Sequence, residues 1–285
     1  MYKTYLKRFL DLVLSFIGLL ALSPILLLVI LLLAIANNGK PFFFQMRPGL
    51  NGHLFKIMKF KTMTDKKDTD GNLLFYSESS TVWNRNHEVM LNGMGLKGDN
   101  SSTSSGLIVP KPQDPDYYYI FTVDEPHHFN SSNFPADFAN DGVNDGLMYS
   151  RVNILDDGGI GAVDSIEKNI PLLTYDPTIP LEVDFKCSEK ITAVKADDCS
   201  SYWVITHFTN TFYAFKIDQN GVSDTPITST VGPNIPVEGY RRNALGYLKA
   251  SPDGTKLISA NFGESTIPGG NAGGGIYLFD FDNET

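Results

Sequence analysis

The sequence predicts an N-terminal membrane helix, then a short amphipathic hairpin, then an all-β region. Three observations carry that prediction. Residues 9–36, FLDLVLSFIGLLALSPILLLVILLLAIA, hold a single charge, Asp11. Residues 1–67 hold ten of the 23 Lys/Arg but only Asp11 and Asp65 of the 32 acids, so this segment carries +8 and the rest of the chain −17. From Leu73 onward, short apolar and aromatic runs alternate with turn residues, and no helix-period stretch of useful length occurs. The expected boundaries are a membrane-associated helix over 1–38, a basic segment over 39–70 and a β region over 71–285.

The helix is long enough to cross a bilayer core of about 30 Å at about 1.5 Å per residue. Ser23-Pro24 falls near its middle, and a proline there removes a backbone hydrogen bond and crowds the preceding turn. Cations flank both ends: Lys3, Lys7 and Arg8 before it, and Lys40, Arg47, Lys56, Lys59 and Lys61 after it. The positive-inside tendency then favours the cytoplasmic side for both ends. A re-entrant helix broken at Ser23-Pro24 satisfies these features, and a plain single span satisfies the length alone.

The next stretch, GKPFFFQMRPGLNGHLFKIMKFKTMTD, sets a turn signal, Asn51-Gly52, between two short strand-like runs. Aromatics alternate with cations, as in a hairpin resting at a membrane interface. Arg47, Lys59 and Lys61 are the candidate ligands for a phosphate or a lipid headgroup.

This segment resembles the start of the bacterial sugar transferases, the monotopic phosphoglycosyl transferases that move a sugar 1-phosphate from a nucleotide-sugar to polyprenyl phosphate. The resemblance covers about residues 3–74. The family pattern FFxQxRxGxxGxxFxIxKFRTM is met by Phe43, Phe44, Gln45, Arg47, Gly49, Gly52, Phe55, Ile57, Lys59, Phe60, Thr62 and Met63. Lys61 stands where the pattern has arginine, keeping the charge but losing the bidentate fork. The resemblance implies a re-entrant helix broken at Ser23-Pro24, an active site at headgroup level on the cytoplasmic face of the inner membrane, and Mg²⁺ in the intact family. It also implies a nucleophilic Asp beside a Glu, in a stretch reading TSLDELPQ, and a later GPRP motif. Neither is present. Asp-Glu occurs once, at Asp124-Glu125 inside FTVDEPHHF, a strand-like context, so no catalytic residue is assigned. The expected partners are membrane lipid and polyprenyl phosphate, and the chain itself is expected to hold no cofactor and to lack transferase activity.

In the acidic region, LLFYS, GLIVP, YYYIFTV, GLMYSRVNIL, ITAVK, YWVITHF, TFYAFKI, LGYLKASPDG, KLISANF and GIYLFDF read as strands. Asn92-Gly93, Asn220-Gly221 and Pro252-Asp253-Gly254 read as turns. Pairs of aromatic-rich strands recur at intervals of about 45–85 residues, which predicts a partial β-propeller of about three to four blades. Uncovered blade faces would make it marginally stable. Residues 71–285 also resemble the N-terminal propeller of large Bacteroidetes surface proteins exported by the type IX route, a resemblance that implies an adhesion or binding module with an unknown ligand.

Gly71-Asn72-Leu73-Leu74 fits both families, so the chain reads as a chimera joined there, by recombination or by a false join of two genes. The alternative reading is an anchored surface module with the propeller outside the cell. The acidic balance argues against nucleic acid as a partner. Cys187 and Cys199 are either a disulfide or two thiols, and no zinc-ligand spacing occurs. NDGVNDG, residues 140–146, places valine where a calcium loop needs oxygen ligands, and His127-His128 has no third ligand.

Overall fold

The computed structural model describes residues 7–36, 41–48, 54–60, 66–67, 71–100, 102–124, 144–235, 245–262 and 274–284. The chain divides into two compact units, Met1–Thr64 and Asp65–Thr285.

The first unit holds helix α1 (Lys7–Ala36) and strands β1 (Phe42–Pro48) and β2 (Leu54–Phe60). Leu, Ile, Val and Ala dominate α1, and Leu and Ala are strong helix formers. The expected break at Ser23-Pro24 is not seen: α1 runs through both residues. Pro24 forfeits one hydrogen bond, and the apolar helix on either side outlasts that local loss. Side chains of α1 are described at Val13 and over residues 22–35. Among the described residues no helix is long and apolar enough to cross a membrane. β1 and β2 pair antiparallel, Phe42 opposite Phe60 through Pro48 opposite Leu54. The Asn51-Gly52 turn between them lies outside the described residues.

The second unit is mostly β. Its first sheet contains β3 (Lys66–Lys67), β4 (Leu73–Ser77), β5 (Thr81–Asn84), β6 (Val89–Met94), β7 (Leu107–Pro110), β8 (Tyr117–Val123), β9 (Leu147–Asn153), β10 (Ala162–Val163) and β11 (Ile170–Leu172). A five-stranded sheet follows, of β12 (Ile191–Lys195), β13 (Tyr202–Phe208), β14 (Thr211–Asp218), β15 (Gly221–Val222) and β16 (Ile227–Thr230). The last sheet is β17 (Gly246–Ala250), β18 (Lys256–Asn261) and β19 (Gly275–Asp280). Two short helices, α2 (Asp156–Gly159) and α3 (Pro180–Phe185), lie in connections.

Separate blades of the expected kind are not what forms at the start of this unit. The meander β4-β5-β6 and the meander β7-β8-β9 become one curled mixed sheet, because β10 pairs antiparallel with β9 and parallel with β6, Ala162 opposite Leu91. Sequence reading missed β3, β5, β6, β10, β11, β15 and β16, which are short or polar. The Asn92-Gly93 turn is a second correction. Both residues lie inside β6, with Asn92 in the left-handed region at φ 58°. The register against β5 shifts between Thr81 and Trp83, so the turn chemistry is spent on a bulge rather than a loop. A Cβ on Gly93 would sit 2.7 Å from the Val82 carbonyl oxygen and 2.8 Å from that of Met90. Gly93→Ala is therefore expected to cost about 1–3 kcal/mol, measured as a shift in the denaturant midpoint. The Pro252-Asp253-Gly254 turn forms as read, whereas the turn read at Asn220-Gly221 falls one residue earlier, at Gln219-Asn220, with Gly221 opening β15 opposite Asp218.

Strand alternation explains how the sheets stack. In β8, Tyr118 and Ile120 pack with Leu74, Phe75, Val82 and Met90, while Tyr119, Phe121 and Val123 pack with Val204, Phe208 and Phe215 of the next sheet. In β13, Val204 and Phe208 face back to that core, while Trp203 and Ile205 face Leu248 and Leu257 of the last sheet. Strands buried on both faces read as continuous apolar runs, which is why YYYIFTV and YWVITHF were legible. Arg151 pins the rim of the first sheet. It pairs with Asp164 and Glu167 and lies 5.1 Å from the Tyr117 ring centre. These groups are a fifth or more exposed, so Arg151→Ala is expected to cost only about 1–2 kcal/mol in a thermal melt.

Candidate functional site

The basic hairpin is built by its register. Partners across an antiparallel ladder share a face, and so do alternate residues along each strand. Phe43, Gln45 and Arg47 of β1 therefore share a face with their partners Lys59, Ile57 and Phe55 of β2. Arg47 and Lys59 lie on the same face, four positions apart, or about 13 Å of strand. They occupy opposite ends of that face rather than one point on it. Lys61 lies outside the described residues.

α1 is apolar over almost all of its described part, and its apolar side chains are exposed along one broad side. Leu22, Ile25, Leu27, Leu28, Leu31, Leu32 and Ile35 are all more than half exposed. A helix that is apolar all round is matched to an apolar surrounding rather than to water.

Residues 2–103 match the family of bacterial sugar transferases.

The transferase-like region is 44% identical over 69 residues to the uncharacterized sugar transferase EpsL of Bacillus subtilis, covering 24% of this chain and 34% of that protein. It is 40% identical over 62 residues to the exopolysaccharide production protein ExoY of Sinorhizobium fredii, covering 22% of this chain and 27% of that one. It is 43% identical over 65 residues to an undecaprenyl-phosphate glucose phosphotransferase of Komagataeibacter xylinus, covering 22% of this chain and 12% of that one. The chain thus spans about a third or less of the length of these curated relatives. The family match runs past Gly71–Leu74, where the sequence placed a seam, to residue 103. Among solved structures, a Dos1 propeller aligns over 72% of this chain and 58% of that one, at 12% identity and a TM-score of 0.23, too low to carry a fold argument.

No Asp-Glu pair occurs within residues 2–103. Asp124, half of the one such pair in the chain, is 2% exposed at the end of β8, where its Oδ2 accepts from the Asp145 N–H at 2.9 Å. Glu125, His127, His128 and residues 140–143 lie outside the described residues. Among the described residues no cluster of His, Cys, Asp and Glu could hold a metal ion. Cys187 and Cys199 are free thiols, the first buried and the second exposed. Burial pushes the Cys187 thiol well above its ordinary range.

One locus escaped the sequence reading. The faces of β13 and β18 that meet between the five-stranded and three-stranded sheets are apolar at one end, around Trp203 and Leu257. At the other end they carry His207, Ser259 and Asn261, which are 1%, 2% and 7% exposed. Lys190, 1% exposed and just ahead of β12, donates from Nζ to Asn261 Oδ1 at 2.6 Å. Burial pushes the Lys190 ammonium down to about 8. Burial, with the Lys190 charge beside it, pushes His207 down to about 3. The Thr206 hydroxyl fixes this corner by donating to the Lys190 carbonyl at 2.7 Å. The only hint in the sequence is a polar residue at the edge of each of three apolar runs, and nothing local says that the three meet. An apolar groove of about 380 Å³ opens beside the same sheets, lined by Trp203, Phe212, Ile227 and Phe279 and rimmed by Asp280 and Asp282.

Proposed function

We propose that the N-terminal unit is a membrane-associated sugar transferase segment that recognises polyprenyl phosphate, and that this chain does not itself transfer sugar phosphate. The observation that carries the reading is the family match over residues 2–103, with motif residues Phe43, Phe44, Gln45 and Arg47 on β1 and Phe55, Ile57, Lys59 and Phe60 on β2. The apolar surface of α1 supports association with acyl chains at the inner membrane. Arg47 and Lys59 on one face of the hairpin support contact with anionic headgroups, at about 1 kcal/mol per cation near the surface. The loss of activity rests on the missing Asp-Glu pair, without which no carboxylate is placed to attack the phosphate.

The test uses full-length chain with vesicles of zwitterionic lipid, with and without undecaprenyl phosphate. The chain carrying both Arg47→Ala and Lys59→Ala is expected to lose several-fold of its preference for the undecaprenyl phosphate vesicles, measured by co-sedimentation. Formation of a lipid-linked sugar from any nucleotide-sugar by the wild-type chain would overturn the inactive reading.

A second reading is an anchored binding module of propeller type, fused to a transferase segment near Gly71–Leu74. It is favoured by the separate compact unit Asp65–Thr285, which carries three hydrophobic clusters of its own. Protease added to intact cells separates the two. Digestion of residues 75–285 places the β unit outside, and protection places it in the cytoplasm.

A further inference from the structure

We infer that β19 is a self-association edge, pairing antiparallel with β19 of a second copy of this chain.

The last two sheets stack strand over strand. Trp203 of β13 packs with Leu257 of β18, and the Phe212 ring of β14 lies 4.9 Å from the Phe279 ring of β19. β14 carries a further antiparallel strand, β16, with Thr211 opposite Thr230 through Ala214 opposite Ile227. β19 pairs with β18 alone among the described residues. The apolar groove is lined by Ile227 of β16 and by Phe279 and Phe281, so it opens where a strand beside β19 would stack over β16.

A strand with one open side leaves a row of backbone N–H and C=O groups to be met. The other edges of the β unit are short, polar or guarded. β3 is two lysines, β7 ends in Pro110, β12 ends in Lys195, β17 holds Lys249, and β16 reads ITST. β19 reads GIYLFD, in unbroken register with β18, without Lys or Pro and with one acid at its end.

The register favours a second copy as the occupant. On the outward face of the last sheet, Ile276 and Leu278 are 76% and 69% exposed, and Tyr247 and Ile258 are 54% and 44% exposed. Ladder partners share a face. Ile258 is opposite Leu278, and Ala260 is opposite both Tyr247 and Ile276. A two-fold axis at Tyr277 sets Ile276 opposite the copy's Leu278, and Leu278 opposite the copy's Ile276. Two apolar rows then run across both sheets, each carrying Ile258, Leu278, Ile276, Ala260 and Tyr247. The one charge in β19, Asp280, falls opposite Gly274 of the copy and keeps its own ion pair with Lys256. Like charges do not meet across the seam, and the same patch serves on both sides, as an isologous contact requires. Six residues per strand make a small interface, so the dimer is a weak one.

The test is sedimentation equilibrium of full-length chain in density-matched detergent over about 1–100 μM. The wild type is expected to pass from monomer to dimer across this range. The chain carrying Ile276→Lys and Leu278→Lys sets lysines directly opposite each other and is expected to associate at least about tenfold more weakly. The chain carrying Ile276→Lys and Leu278→Glu sets each lysine opposite a glutamate and is expected to regain most of the association. Both positions are exposed, so the three chains are expected to melt alike. A wild type that stays monomeric throughout the range would overturn the proposal. So would equal association of the wild type and the double-lysine chain, which would put self-association elsewhere. A lysine–glutamate chain that associates no better than the double-lysine chain would overturn it too, because β19 would then not meet its copy in this register.

Discussion

Taking the chain from pH 7 to pH 4 is expected to remove about 3 kcal/mol of stability from the β unit through one residue, His207. In the unfolded chain the ring takes up a proton near its ordinary value of 6.5, whereas in the folded chain it resists protonation until about pH 3. The unfolded state therefore binds the proton first as the pH falls. The stabilisation is complete above about pH 6.5 and is lost progressively towards pH 3. The cause is the setting: a ring with 1% exposure, packed 4.5 Å from the Phe212 ring and facing the Lys190 ammonium. Hydrogen bonds hold Asp198 down to about 2 and lower Asp164 and Asp253, so those carboxylates surrender their share only below their ordinary value of 3.8. Lys190 keeps its charge throughout this range. Chemical denaturation at pH 7, 6, 5 and 4.5 isolates the histidine. The wild type is expected to weaken steadily, and His207→Phe to weaken much less. Equal slopes for the two would remove His207 as the cause.

The second large effect is expected from Trp203→Ala. Trp203 is 2% exposed and packs with Val194, Ile205, Phe212, Leu248 and Leu257. Its Nε1–H donates to the Asn283 carbonyl at 3.1 Å, and Lys216 Nζ lies 5.4 Å from its ring centre. Truncating a buried tryptophan costs about 3–5 kcal/mol. The cavity would open where the last sheet meets the rest of the unit, so β17, β18 and β19 are expected to detach before the remainder unfolds. Limited proteolysis checks this: early cuts within residues 245–284 are expected in the variant and not in the wild type. Cuts spread evenly over the unit would mean that the three sheets unfold as one.

What the sequence revealed follows from where each signal sits. Strands buried on both faces, such as β8 and β13, announce themselves by unbroken apolar runs. β5 and β6 do not, because Thr81, Asn84 and Asn92 interrupt them and their pairing supplies the order. Joining the first two meanders into one sheet depends on a two-residue strand, Ala162–Val163, and no composition signal marks a segment that short. Asn92-Gly93 misled because its chemistry suits a bulge as well as a turn. The basic hairpin was legible, since its aromatic and cationic residues and its pairing are local. The polar layer was not, because Lys190, His207, Ser259 and Asn261 meet only through tertiary stacking.

The most direct test of the central claim is flotation of the full-length chain, carrying a protease site inserted at residues 68–70, on vesicles containing undecaprenyl phosphate. The account predicts that the intact chain floats with the lipid. After cleavage, the N-terminal fragment should stay with the vesicles while the β unit is released into the aqueous fraction. An intact chain that remains in the aqueous fraction would contradict it, as would a β unit that stays with the lipid after cleavage.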